Sequence, residues 1–407
     1  MNHGFRTILS AQFLSALADN ALLFAAIALL KNLHAPAWQI PVLQEFFVFA
    51  FIVLAPFVGA FSDALPKGRV MFISNTIKII GCAAMLIGFP PILAYGFVGV
   101  GAAIYSPAKY GILSELLPPD RLIWANGWME GLTVLAIILG AVVGGVLIGG
   151  SVEQFVSLQQ GSLAFFGIHS AAEFAIVLIL GIYLLAALFN YFIPKLPIEH
   201  KLTSPSPKQL LIEFWPCMVS LWKDPLGQVS LSVTSLFWGA GTSLRFIILA
   251  WAAVALNFSM EEATQLTALV AVGLAVGAVI AAKAVPLHHA VKVLPLGVLM
   301  GLSVLIMTWI TTWQLAVIML IFIGALAGSF LIPMNALLQY RGHQLMGSGH
   351  SIAVQNFNEN LSILLMLGAY SLMIDAGFTI YTIVIIFGLF ISVTMGLLAQ
   401  KHRHSQD

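Results

Sequence analysis

Apolar residues run through this chain in twelve stretches of about 20 residues or more, each closed by charges, prolines or glycine turns. Their limits are 6 to 31, 41 to 62, 70 to 88, 91 to 113, 122 to 147, 171 to 192, 226 to 256, 263 to 285, 291 to 311, 314 to 340, 349 to 375 and 378 to 400. At about 1.5 Å per residue each has the length of a helix crossing a bilayer core of about 30 Å. The pattern therefore predicts an all-α membrane protein with twelve transmembrane helices. The longest polar connection, residues 193–225, holds Pro194, Pro197, Pro205, Pro207 and several lysines, and within it Lys208 to Lys223 has the alternation of a short amphipathic helix lying on the membrane surface. This predicts a bundle over residues 1–192, a linker with its amphipathic helix over 193–225, and a second bundle over 226–407.

Composition strengthens that reading and removes others. Of 407 residues 60% are hydrophobic and 8% charged, with a mean hydropathy of +1.00, where a soluble domain carries about 25% charged residues. A net charge of +1, with no basic stripe outside the loops, argues neither for a nucleic-acid nor for an acidic partner, and none is expected. Cys82 and Cys217 make no disulfide framework. The segment from Arg6 through Ala16-Leu17-Ala18 imitates a cleaved signal peptide, but apolar character resumes at Ala21 and continues to Leu30, so an uncleaved first helix is expected. Thirteen of the seventeen lysines and arginines fall at one membrane side if the N-terminus is cytoplasmic; only Lys31 falls outside, and Lys78, Lys109 and Arg245 lie within spans. The positive-inside rule then predicts that both termini are cytoplasmic.

Charges inside spans are costly, so each marks a candidate site. Asp19, followed by Asn20, sits near the middle of the first stretch, and its hard oxygens suit a small cation, while a lone carboxylate can equally take a proton or pair with Lys78, Lys109 or Arg245. Glu130 and Glu359 lie about 12 to 15 Å in from the predicted cytoplasmic end. They occupy similar places in two segments that can be overlaid, Ala125–Gly140 and Ala353–Gly368. Lys78 can snorkel, pair with Asp63 or Glu130, or touch substrate. Between spans two and three, Gly59-Ala-Phe-Ser-Asp63 followed by Lys67-Gly68-Arg69 resembles the major facilitator signature, with Ala64 where a base usually follows the acid. In that arrangement Asp63 accepts from a helix N-terminus or a base, and Lys67 and Arg69 hold the loop, so all three are candidate gate residues. With the overlaid segments, this predicts the major facilitator fold, two pseudo-symmetric six-helix bundles.

Several polar segments narrow the resemblance. Gln12 through Asp19-Asn20 to Phe24, Tyr105 through Lys109 to Leu113, Ala125-Asn-Gly127 with Glu130, Thr234 to Gly241 with Leu244-Arg245-Phe246, and Asn335 to Gln339 with Ala353-Val-Gln-Asn356 together resemble the bacterial lysophospholipid transporter family. The resemblance implies a sodium-dependent flippase, a symporter of the inner membrane. Such a protein carries lysophosphatidylethanolamine and related lysolipids to the cytoplasmic leaflet by alternating access, working beside a lysophospholipid acyltransferase. It also implies a monomer among membrane lipids, with no cofactor besides the coupling sodium, for which Asp19 and Asn20 are the candidate ligands. A zwitterionic lysolipid needs a cation, an anion and an apolar slot. Arg245 suits its phosphate bidentately, Lys109 is a second phosphate candidate, and Glu130 and Glu359 suit the ammonium, with Asn356 alongside. Each of these charges can instead serve as an inter-helix pair. The alternative from the same fold is a proton-coupled exporter of drugs or other amphiphiles. An enzyme is not expected, since no nucleophile, base and acid stand at catalytic spacing. Gly140-xxx-Gly144, Gly273-xxx-Gly277 and Gly324-xxx-Gly328 read as helix-packing faces.

Overall fold

A computed structural model describes residues 3–35, 39–194, 196, 206–258 and 260–403. Of the linker features, Lys195, Pro197, Lys201 and Pro205 lie outside the described residues. The first half runs α1 (His3–Asn32), α2 (Gln39–Ala64), α3 (Lys67–Leu86), α4 (Pro91–Leu116), α5 (Leu122–Leu147), two short helices α6 (Gly150–Leu158) and α7 (Gln160–Leu163), and α8 (Ala171–Tyr191). After α9 (Pro207–Lys223) come α10 (Pro225–Ala255), α11 (Met260–Ala284), α12 (Leu294–Ile306), α13 (Trp313–Met346), α14 (Ser348–Asp375) and α15 (Ile380–Arg403). Among the described residues twelve helical segments are long and apolar enough to cross a membrane. These match the twelve stretches closely, because in lipid a spanning backbone must satisfy its own hydrogen bonds and a helix does so within one segment. The ninth is the exception in form: α12 is extended at both ends by 3-10 turns, Leu287–Val293 and Met307–Trp309. The amphipathic segment is helical as read, with Leu211, Ile212 and Trp215 exposed on α9 and Phe214 and Leu221 buried.

Packing divides the chain into two compact units. One comprises Met1–Ile112, Leu135–Glu213 and Ser348–Ala353; the other comprises Leu113–Val134, Phe214–Gly347 and Val354–Asp407. Two segments are thus exchanged relative to a simple split at the linker, and each has a polar reason. Asn126 on α5 and Gln339 on α13 exchange two amide hydrogen bonds of 2.8 Å, which ties the first half of α5 into the second unit. Asp63 on α2 accepts from the Gly349 amide at 2.7 Å, which ties the start of α14 into the first.

Within the first unit α8 packs against α1 and α3, and small residues of α1 (Ala18, Ala21, Ala25) let the backbones approach. Gly140 and Gly144 of α5 do the same against α1: a Cβ at either would press on Asn20 or on the backbone oxygens of Leu17 and Ala21. In the second unit α11 and α13 form the most extensive contact. Gly273 and Gly277 face Gly324 and Gly328, and a methyl on any of the four would strike a carbonyl oxygen of the opposite helix. Such close contact supplies the van der Waals and weak Cα–H···O attraction that replaces hydrophobic driving force in lipid.

Candidate transport site

Beside the Asn126–Gln339 pair, three polar clusters among the described residues bear on the candidate site, two in the first unit and one in the second. The first is built on α1, α3 and α8. Ser15 and Asp19 are one turn apart on α1, and Asn75 and Lys78 are three apart on α3, so each helix turns a two-residue polar stripe inward. Lys78 Nζ lies 2.8 Å from Asp19 and donates to Ser15 Oγ at 3.0 Å. Tyr183 on α8 donates to Asp19 Oδ1 at 2.6 Å, and Ser15 donates to Asn75 Oδ1 at 2.8 Å. Lys78 also stands over the rings of Tyr105 and Tyr183, 5.0 and 5.5 Å from their centroids. Of the partners open to Asp19 in the sequence, the structure therefore selects Lys78, and Lys78 meets neither Asp63 nor Glu130 as its ion-pair partner but Asp19. The lysine side chain is 1% exposed and the aspartate 22%, so the pair is reached from the aspartate side. Asn20 turns its amide back to Ala16 O at 2.8 Å. The donor set fits a small monocation, because an ammonium already sits among the Asp19 and Ser15 oxygens.

The second cluster is the loop between α2 and α3. Asp63 Oδ1 accepts from Lys67 Nζ and from the Gly349 amide, both at 2.7 Å, while Oδ2 accepts from the His350 amide at 3.0 Å and meets His350 Nδ1 at 2.7 Å. Gly347, the N-cap position of α14, makes no side-chain cap. Asp63 supplies the cap from another helix, placing a carboxylate at the positive end of the α14 dipole. Lys67 is locked further by donation to Ser62 O at 2.8 Å, whereas Arg69 is exposed. Gly349 is needed here, since a Cβ would press on Asp63 and on Gly59 O.

The third cluster joins α13 and α14. Gln355 Nε2 donates to Asn335 Oδ1 at 2.9 Å and to Glu359 Oε1 at 2.7 Å. Thr234 on α10 is buried and donates to Leu231 O at 3.2 Å. Glu359, Glu130 and Asn356 are all buried, as is Lys109 of the first unit, whose Nζ stands 4.3 Å from the Tyr110 ring centroid. Arg245 differs: inside an apolar helix, it is exposed. Sequence reasoning missed Tyr183, Ser15, Asn75, Gln355 and His350. The pairs Ser15/Asp19 and Gln355/Glu359, each four apart on a helix, carried a signal that same-face spacing would have found. Tyr183 and His350 carried none, because only tertiary packing brings them in.

Residues 8–365 match the Major Facilitator Superfamily. The chain is 44% identical over 402 residues to the lysophospholipid transporter LplT of Enterobacter sp. strain 638, covering 98% of this chain and 96% of that one. It is 43% identical over 378 residues to LplT of Yersinia enterocolitica, covering 93% and 89%. Among solved structures, the superfamily transporter FucP in its outward conformation is similar with a TM-score of 0.75 at 17% identity, over 97% of both chains. The human organic anion transporter MFSD10 is similar with a TM-score of 0.73 at 14% identity, over 98% and 100%. These two show the fold alone. With twelve apolar helices and near full-length relatives of this kind, the chain is a multi-pass membrane transporter, not an enzyme, and belongs to the lysophospholipid transporter family of the major facilitator superfamily.

Proposed function

We propose that this protein moves lysophospholipids such as lysophosphatidylethanolamine across the bacterial inner membrane to the cytoplasmic leaflet, by alternating access coupled to sodium. The observation that carries the reading is identity above 40% along nearly the whole chain to relatives named lysophospholipid transporters. The distribution of basic residues supports an orientation with both termini cytoplasmic. In that orientation the returned lysolipid reaches the leaflet where an acyltransferase can restore its second chain.

The polar clusters supply what the substrate requires. Arg245, exposed on α10, offers a planar bidentate fork to the headgroup phosphate, and Lys109 of the first unit is a further candidate phosphate cation in its own right. Glu130 and Glu359, with Asn356 alongside, offer acceptors to the ammonium. Asp19 and Asn20 supply oxygens to the coupling ion, and Asp63, Lys67 and Arg69 form the gate, opened when Asp63 releases the N-terminus of α14.

Uptake of labelled lysophosphatidylethanolamine into liposomes holding the purified protein, with an inward sodium gradient or without one, tests this. We expect uptake that rises with the gradient and falls severalfold in Arg245→Lys, since a lysine replaces the fork with a point charge. Uptake indifferent to sodium but driven by pH would replace the coupling ion, and no lysolipid uptake at all would remove the substrate.

A further inference from the structure

The place at Asp19 is already taken by a cation. Lys78 Nζ is held by Asp19 and by Ser15 Oγ, and two tyrosine faces lie beside it. A small alkali ion seeks the same hard oxygens. Two positive charges on one carboxylate in a low-dielectric interior repel strongly, so an ion arriving from the exposed side of Asp19 must displace the ammonium.

A second observation shows where the ammonium can go. The Tyr105 hydroxyl and both amide atoms of Asn190 are buried and make no hydrogen bond, although buried polar atoms almost always have partners. Tyr105 is 4% exposed and Asn190 1%. Tyr105 lies beside Asn190 and Ser15 without a hydrogen bond of normal geometry to either. Lys78 already stands over the Tyr105 ring, 5.0 Å from its centroid, on a long and flexible stem, so the unpartnered atoms at Tyr105 and Asn190 are an alternative place for its donors. The Tyr105 and Asn190 oxygens can accept, and no hydrogen bond reaches them, beside a donor that must sometimes leave.

We propose that Lys78 is a tethered competitor of the coupling cation, its ammonium resting on Asp19 and swinging to Tyr105 and Asn190 when an alkali ion takes its place; this rests on reading Asp19 as the coupling site. The exchange keeps one positive charge on Asp19 at all times, so the carboxylate is never left bare in the membrane. It also sets the affinity for the ion, because the ion binds only as well as it outcompetes a charge that cannot diffuse away.

The test is thermal unfolding of the purified full-length protein in detergent micelles, in sodium chloride against choline chloride at matched ionic strength. In Lys78→Met the sodium concentration giving half-maximal stabilisation should fall at least tenfold, because Asp19 then waits for a cation. In Asn190→Leu it should rise severalfold, because the ammonium has lost its second place. A Lys78→Met protein needing as much sodium as wild type, or more, overturns the proposal. If that variant does not fold, Lys78→Gln and Asn190→Leu decide it, and a sodium response in Asn190→Leu equal to wild type overturns it. Wild-type uptake indifferent to sodium, with Lys78→Met newly stabilised by sodium, would sink the coupling while upholding Lys78 as the resident cation.

Discussion

The first and third clusters neutralise a buried acid in opposite ways. Asp19 is met by a full charge, the Lys78 ammonium, helped by a phenol. Glu359 is met by a neutral amide, Gln355, which also donates to Asn335. Among the described residues no base is hydrogen-bonded to Glu359. The difference teaches that the two acids do not do equivalent work, although sequence alone treats them as similar intramembrane carboxylates. An ion pair is strong only while both members remain; an acid held by neutral donors tolerates a change in its own charge.

The comparison breaks most clearly at the ion pair. Asp19→Asn leaves the Lys78 ammonium buried and unmatched, and should destabilise the protein by about 3–5 kcal/mol, the cost of stranding one member of a buried pair. Lys78→Met should cost less, since Asp19 keeps Tyr183 and partial access to solvent. The double variant should recover a large part of the loss, and a double-mutant cycle read by thermal unfolding measures it. Additive effects in that cycle would mean the pair contributes nothing.

Glu359→Gln provides the contrast. An amide of the same shape keeps an acceptor for Gln355, so the melting temperature should fall little or even rise, a change of about 1 kcal/mol or less. A loss as large as that of Asp19→Asn would show that Glu359 is itself held as an ion.

The smallest effect lies outside the spans. Asp224, just before α10, accepts from the Gly227 amide at 2.8 Å and is paired with Arg341 of α13 through Nε at 3.1 Å and through a second guanidinium nitrogen. Partial burial pushes its carboxyl up, but the Arg341 hydrogen bonds, the Gly227 amide and the Arg341 charge outweigh that and hold it below the usual carboxylate range. Because the folded value is depressed, this stability is present above the ordinary aspartate value of about 4 and is lost as pH falls through the lower folded value. The pair is partly in solvent, so the loss should be under about 1 kcal/mol. Melting of wild type and Asp224→Asn between pH 6 and 3 should converge at the acid end.

Hydropathy made the spans legible because lipid enforces helices of a fixed length. Thus α1 to α5 and α10 to α15 fall within a few residues of the stretches read from the chain. The amphipathic α9 was legible from the alternation of its apolar and polar positions instead. Of the candidate site, the residue types were readable but their partners were not. Nothing along the chain says that Lys78, 59 residues away, reaches Asp19, or that the amide of Gly349 reaches Asp63 across 286 residues. Helical spacing predicts which side chains share a face, whereas only packing decides which faces meet. The exchange of Leu113–Val134 and Ser348–Ala353 between units was illegible for the same reason, as it depends on the Asn126–Gln339 pair and the Asp63 cap.

The glycine seam between α11 and α13 carries a mechanical consequence. Gly273, Gly277, Gly324 and Gly328 set backbone against backbone with no side chain between them. Side chains can change rotamer and let one helix slide over another, but two interlocked backbones have no such lubricant. The pair therefore behaves as a single beam. Any movement within the second unit must swing this beam as a whole or flex helices on either side of it, and a bulky residue at Gly277 would force α11 and α13 apart.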